Sequence, residues 1–256
     1  MNPTNIEWLL PEYNGGRKGF TWNPVVGCTP ISPGCANCYA ERLHTMRHKA
    51  YLVGKKLPHC YAKPFSAVRL LLDRLDQPTR RRSSSTIFVC SMSDLFHERC
   101  GTDWIYHVMR SIRIAQQHTY VVLTKRAERM LVYLRPTTIA SLNVALGVSV
   151  STQAEWDEKV PLLLKCPARW RFVSIEPMLE GIDVRSHVTD LDGIILGGES
   201  GPNARPTDIR WVRPIRQECE WARVPFFFKQ IVVCGRMRKM PHVAGVQCTV
   251  VPWGDA

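Results

Sequence analysis

The run "TYVVLTKR", residues 119–126, reads as a buried strand that stops abruptly in polar residues. Tyr120, Val121, Val122 and Leu123 leave no polar position mid-run, as in a strand covered on both faces. Thr124, Lys125 and Arg126 then close it. Working outward, the same form recurs in "TIFVCSMSD" (86–94), "NVALGVSVS" (143–151), "RFVSIEP" (171–177), "DGIILGGESG" (192–201) and "VPFFFKQ" (224–230). "FTWNPVVGC" (20–28) makes a first member, giving seven. Amphipathic stretches over 102–117, 152–165 and 207–223 lie between them. In the last, Ile209, Val212, Ile215 and Cys219 share one helical face. Strand ends are expected near 91, 124, 150, 176, 199 and 230, so each interval of roughly 23 to 33 residues holds about one βα unit.

This rhythm predicts an α/β fold spanning 1–256 as a single domain. Its expected form is a partial (β/α) barrel of six or seven parallel strands; an open doubly wound sheet fits the same pattern. The irregular interval from 28 to about 86 predicts a helix over roughly 37–50 and another near 65–76. An insertion at about 53–85 is expected to cap or flap over the substrate side.

No run of about eighteen apolar residues exists, so no membrane span is expected. The start, "MNPTNIEWLLPEYNGG", lacks a basic segment followed by an apolar run. No signal peptide is expected, and the compartment should be the cytoplasm, where thiols stay reduced. Ten cysteines then need another explanation than disulfides. Cys60, Cys90, Cys100, Cys166, Cys219, Cys234 and Cys248 are scattered and read as small buried hydrophobes. An auxiliary cluster on Cys219, Cys234 and Cys248 would need spacings that match no metal pattern. The net charge of +12 points to an anionic partner, nucleic acid first. "TRRRSSS" (79–85) is the densest basic run, either a solvated loop or a phosphate contact.

In parallel βα architectures the active site gathers at the carboxyl ends of the strands. Those ends carry the cysteine loop, then Ser91, Ser93 and Asp94, then Thr124, Lys125 and Arg126. Ser149 and Ser151, Glu176, Gly197 to Ser200, and Lys229 with Gln230 follow. Glu176 stands before Pro177, which favours an extended backbone, and Glu199 follows two glycines that let backbone approach a ligand. Glu199 and Lys229 are the catalytic candidates among these ends. A cation pair such as Lys125–Arg126 is disfavoured at a helix N-terminus, which favours a ligand-binding role.

The cysteine loop, "GCTPISPGCANCYAERL" (27–43), places Cys28, Cys35 and Cys38 within eleven residues. Thiolates suit zinc or iron–sulfur clusters. A zinc site wants a fourth ligand, for which His44 is available, although it should face away on the following helix. Three cysteines on a four-iron–four-sulfur (4Fe-4S) cluster leave one iron open.

That pattern resembles the radical S-adenosylmethionine superfamily, in a variant spaced C-x6-C-x2-C. "TWNPVVGCTPISPGCANCYAERL", "SMSDLFHE", "QHTYVVLTKR", "LGVSV", "FVSIEPML", "GGESGPNARP" and "VPFFFKQ" together resemble a phage-associated family with this motif, from about residue 20 to 230. The chain before 20 and a C-terminal extension after about 230 fall outside the resemblance. The resemblance implies a partial barrel in which Cys28, Cys35 and Cys38 hold one 4Fe-4S cluster and S-adenosylmethionine (SAM) chelates the open iron. Reductive cleavage would yield methionine and a 5′-deoxyadenosyl radical, with flavodoxin or ferredoxin as electron donor. By position, Ser91, Ser93 and Asp94 would meet the methionine amine, with Thr124 beside them. Lys125 would meet the carboxylate, Ser149 and Glu176 the ribose, and Gly198 and Glu199 the adenine or the substrate. Asn37 replaces the aromatic residue the family usually carries before its last cysteine, with Tyr39 just after it.

Phage enzymes that resemble this chain are linked to thymidine hypermodification, in which an amino acid on the thymine methyl carbon is rearranged. The expected substrate is therefore a modified thymine in DNA, flipped out of the duplex. The expected reaction is an isomerisation such as N-linked glycyl to C-linked glycyl, and the location would be the host cytoplasm if the protein is phage-encoded. Arg205, Arg210, Arg213 and the 80–82 run are candidate phosphate contacts. Three other readings stay open. One is a DNA-repair lyase resembling spore photoproduct lyase, with Cys90 or Cys234 as hydrogen donor. Another is a zinc-stabilised DNA-binding module without turnover, and the third an enzyme of free nucleotides or tRNA.

Overall fold

The expected strands form one sheet. The structure, a computed structural model, describes residues 1–134, 142–233 and 236–254. Seven strands are β1 (Lys18–Trp22), β2 (Ser85–Val89), β3 (Thr119–Thr124), β4 (Val144–Val150), β5 (Trp170–Ile175), β6 (Gly193–Gly197) and β7 (Phe226–Val233). Each pairs in parallel with the next, in chain order and without reversal. A doubly wound sheet would require a switch point, and this order has none. Asn2–Pro3 pairs antiparallel outside β1, and Arg236–Lys239 outside β7. The result is a mixed α/β chain around a large, mostly parallel central sheet.

Among the described residues five α-helices accompany it: α1 (Tyr39–Leu52), α2 (Thr102–Ile114), α3 (Ala127–Leu134), α4 (Gln153–Leu164) and α5 (Ile209–Ala222). The start of α4 is written locally: Thr152 accepts the Glu155 amide, while the Glu155 carboxylate accepts the Ser151 amide. Ile112, Met130, Trp156 and Val212 from the helices pack with Ile87, Val122, Val148, Val173, Leu196 and Phe228 in one core. These strand residues share one parity and thus one face of the sheet.

The other parity makes a separate core without helices. Phe88, Val121, Ala145, Phe172, Ile195 and Phe227, one from each of β2 to β7, surround Trp8, Leu9 and Trp253. The aromatic rings cross this interior edge to face, Phe88 to Trp8 to Trp253 to Phe172, with centroids 5.1 to 5.8 Å apart. Gly147 leaves room for Phe172, whose ring would lie 2.4 Å from a Cβ at that position. The turn Glu7–Leu9 lies beside both β1 and β7. The segments around Trp8 and Trp253 therefore fill this face of the sheet.

Two local expectations are corrected. The "FTWNPVVGC" run divides at Pro24, which cannot donate to the ladder; Val25–Val26 pairs instead with Arg69–Leu70. No α-helix forms near 65–76, where that pairing and a single 3-10 turn at Leu72–Arg74 take its place. No helix among the described residues is long and apolar enough to cross a membrane.

Candidate functional site

Strand alternation carries the helix-free face from apolar to polar. Two residues beyond Leu123, Gly147, Ser174 and Gly197 stand Lys125, Ser149, Glu176 and Glu199. Lys229 stands two beyond Phe227. Above the aromatic layer a cavity of about 500 Å³ opens, within the range of small-molecule sites. It is lined by Cys28, Cys35 and Cys38 together with Cys90, Ser91, Ser93, Asp94, Thr124, Lys125, Ser149, Glu176, Gly198, Glu199 and Lys229. The three cysteines and the residues expected to meet SAM or to act in catalysis all line this one cavity, whereas Ser151 and Gly197 at the same strand ends do not.

The three cysteines are free, half-buried thiols on the loop between Val25–Val26 and α1. That loop is anchored at four points. The Arg126 guanidinium donates to the Thr29 carbonyl (3.1 Å) and approaches the Cys28 sulfur (3.7 Å). His97 shares a 2.8 Å hydrogen bond with the Thr29 hydroxyl. Gly34 lies against β4's end, where a Cβ would stand 2.2 Å from the Ser151 hydroxyl. Beyond β6, Glu199 accepts from Asn37 (2.7 Å) and from Arg205, which itself donates to the Pro33 carbonyl (3.0 Å). Burial works to raise the Glu199 carboxyl, but the Arg205 and Asn37 bonds outweigh it and hold it at about 2. Burial pushes the Cys28 thiol up to about 11, with Asp94 adding to the effect and Arg126 opposing it.

The remaining polar residues divide into two groups. The side chains of Ser91 and Ser93 bond to Asn23 and the Val25 carbonyl. Asp94, 5% exposed, accepts from the Phe96 amide, the Thr124 hydroxyl (2.7 Å), the Lys125 amide and Arg126 (3.1 Å). Thr124 is itself held by that bond and by the Arg126 amide. These side chains tie the ends of β1, β2 and β3 together. Lys125, in contrast, reaches across to the Ser149 hydroxyl (2.6 Å), and Lys229 to Glu176 (2.7 Å). The second pair is partly solvated.

A family model for proteins of unknown function, DUF5131, matches residues 4–247. The chain belongs to the DUF5131 family. No curated protein and no solved structure matches it. The DUF5131 match takes in the amino-terminal turn at Trp8 and the strand after β7, both outside the 20–230 range of the motifs.

In this DUF5131 chain, Arg126, His97, Asn37 and Arg205 are the site residues whose roles the sequence did not disclose. Arg126 stood beside Lys125 at a helix start; its burial and its four partners depend on Asp94, Glu98, Thr29 and Cys28. Arg205 is corrected from phosphate contact to partner of Glu199. Arg210 pairs with Asp208, and Arg80 with Asp76. The 80–82 run precedes Ser85, the first residue of β2, and so sits at the end of the sheet away from the cavity.

His44 bonds the Lys63 carbonyl (2.9 Å), packs between Tyr61 and Phe65, and does not line the cavity. Among the described residues no three His, Cys, Asp or Glu side chains converge on a single ion. A cluster asks for something else, because each thiolate binds a different iron. Three free thiols on one anchored loop, opening on one cavity, fit that donor set. Cys219 and Cys248 pack in the helix-side core, and Cys234 lies outside the described residues.

Proposed function

We propose that this chain is a radical SAM enzyme, built as a partial barrel, that isomerises an amino-acid-modified thymine in phage DNA. The concrete form is N-linked glycyl to C-linked glycyl. The observation that carries the reading is the cavity itself: three unpaired thiols face the polar carboxyl ends of seven sequential parallel strands. Cys28, Cys35 and Cys38 would hold a 4Fe-4S cluster. When bound, the cluster and SAM supply a 5′-deoxyadenosyl radical after one-electron reduction by flavodoxin or ferredoxin.

The chain's own residues shape where this happens. Lys125 offers an ammonium and Ser149 a hydroxyl on one wall, where a ligand carboxylate would exchange for the 2.6 Å bond between them. Glu176 and Lys229 offer a carboxylate and an ammonium on the other wall, suited to hydroxyl groups of a ribose or base. Glu199 orders the cysteine loop through Asn37 and Arg205. The packed aromatic layer of Trp8, Phe88, Phe172 and Trp253 forms the apolar floor beneath the cavity.

Anaerobic reconstitution should yield about four irons and four sulfides per chain, and reductant with SAM should then yield 5′-deoxyadenosine. A reconstituted sample that forms none overturns the reading. Nucleosides digested from treated phage DNA should contain an isomer of unchanged mass; a changed mass refutes rearrangement. Cys90, buried at the cavity wall, favours the repair-lyase reading as second, with this thiol as hydrogen donor. Loss of turnover in Cys90→Ala, with deoxyadenosine still formed, would support it.

A further inference from the structure

A strongly basic, acid-free stretch borders the cavity at both ends. Residues 42–72 contain seven Lys and Arg and no Asp or Glu, and so carry +7 of the chain's +12. Arg42 and Phe65, near either end of this stretch, both line the cavity. Along α1 the exposed positions Arg42, Met46 and Lys49 recur at helical spacing and form one stripe, which continues past exposed Val53 into exposed Lys55 and Lys56. The opposite face is occupied. His44 and His48 bond the carbonyls of Lys63 and Tyr61, Tyr51 bonds His59, and Arg47 bonds the Tyr61 hydroxyl. This stitching makes α1 and the 59–63 turn one unit and leaves the stripe as its free side.

Beside the stripe runs an open groove of about 570 Å³, bounded by Glu41, Arg42, Thr45, Met46 and Lys49 on one side and Pro202 and Asn203 on the other, with two cations to one carboxylate. The groove and the cavity share Asn37, Cys38 and Arg42 as lining residues. Among the described residues the side chains of Arg42, Lys49, Lys55 and Lys56 have no carboxylate partner, unlike Arg80, Arg205 and Arg210.

We infer that this groove and the cationic stripe bind the sugar–phosphate strand of a DNA substrate and lead its target base past Asn37 and Arg42 into the cavity. The choice of DNA rests on the proposed function; the demand for a polyanion rests on the charges alone. From residue 42 to its end at residue 52 the helix rises about 15 Å at ~1.5 Å per residue, the axial reach of about five successive phosphates of one strand. Unpaired Lys and Arg at such spacing release counterions when phosphates replace water. The groove sets apolar Met46 and Pro202 beside the cations, a pairing that suits the bases and phosphates of a nucleotide strand.

The test is fluorescence anisotropy of a labelled thymine-containing duplex and its single strand, titrated with the full chain across a salt series. The comparison is with Lys49→Glu/Lys55→Glu/Lys56→Glu and with Arg80→Glu/Arg82→Glu at the other end of the sheet. Thermal midpoint and iron content serve as folding controls. The triple variant should bind at least about tenfold more weakly, and its slope of log affinity on log salt should fall by roughly two to three. The Arg80/Arg82 variant should match the wild type. Equal binding and slope in the triple variant overturn the inference, as does loss confined to the Arg80/Arg82 variant. Absence of DNA binding by the wild type, together with loss of reduction by flavodoxin in the triple variant, would assign the stripe to an acidic protein and also overturn it. A Cys28→Ala/Cys35→Ala/Cys38→Ala variant separates the two readings. If it binds DNA normally and no preparation forms a cluster, the radical reading fails while the groove stands.

Discussion

The ends of β2 and β3 carry polar side chains of the same kinds as the ends of β4 to β7, yet the two groups are held differently. At β2 and β3, Ser91, Ser93, Asp94 and Thr124 bond inward to the Asn23 and Arg126 side chains, to backbone or to one another, and Asp94 is nearly inaccessible. At β4, β5 and β7, Ser149, Glu176 and Lys229 take part in side-chain pairs along the cavity wall, beside local bonds from Ser149 to the Glu176 carbonyl and from Ser174 to the Glu176 carboxylate. A side chain whose bonds are all made to the fold holds position, whereas one bonded across a cavity can exchange its partner for a ligand. The first group is scaffold for the cysteine loop, and the second is the surface a ligand would touch.

Asp94→Ala breaks the scaffold side most severely. It strips a charged partner from Arg126, which is 6% exposed, and should cost about 3 kcal/mol. Urea denaturation reads this directly, and wild-type stability would erase the distinction. Glu199→Gln comes next. The Glu199 carboxyl is depressed to about 2 from the usual 4.5, so its contribution is fully present above about pH 4.5 and is lost as pH falls towards 2. The substitution should remove roughly 2 kcal/mol at neutral pH and flatten the acid limb of stability. An unchanged acid limb would place the clamp elsewhere.

On the exchangeable side, Lys229→Met should leave stability within about 1 kcal/mol because the pair is partly solvated. Calorimetric SAM affinity, under the proposed function, should drop about tenfold. The smallest effect belongs to Ser93→Ala, which loses one bond to the Val25 carbonyl, worth about 1 kcal/mol. SAM affinity should stay at the wild-type value. A large loss of affinity there would move Ser93 to the ligand-contacting group.

Much of this frame is readable in the residue order. Strands ending at Thr124, Val150, Ile175 and Gly197 fall within two residues of the expected ends, because an apolar run yielding to polar residues is a local signal. The 65–76 segment misled for the complementary reason. "VRLLLDRLDQ" has helical content, but Val25–Val26 offered it a strand partner some forty residues away, which no window over the segment contains. Arg205 and Arg210 looked like phosphate contacts until Glu199 and Asp208 took them.

By itself the sequence determined the seven-fold strand rhythm, the three-cysteine loop after the first strand, and the alternation that turns Lys125, Ser149, Glu176 and Glu199 to one face. All of these follow from spacing along the chain. Only the tertiary structure decided which of those side chains are already engaged. Asp94 meets Arg126 across 32 residues, and Asn37 meets Glu199 across 162. Which cations stay free for a partner is set by the carboxylates the fold brings beside them, and that pairing is not encoded in any local stretch.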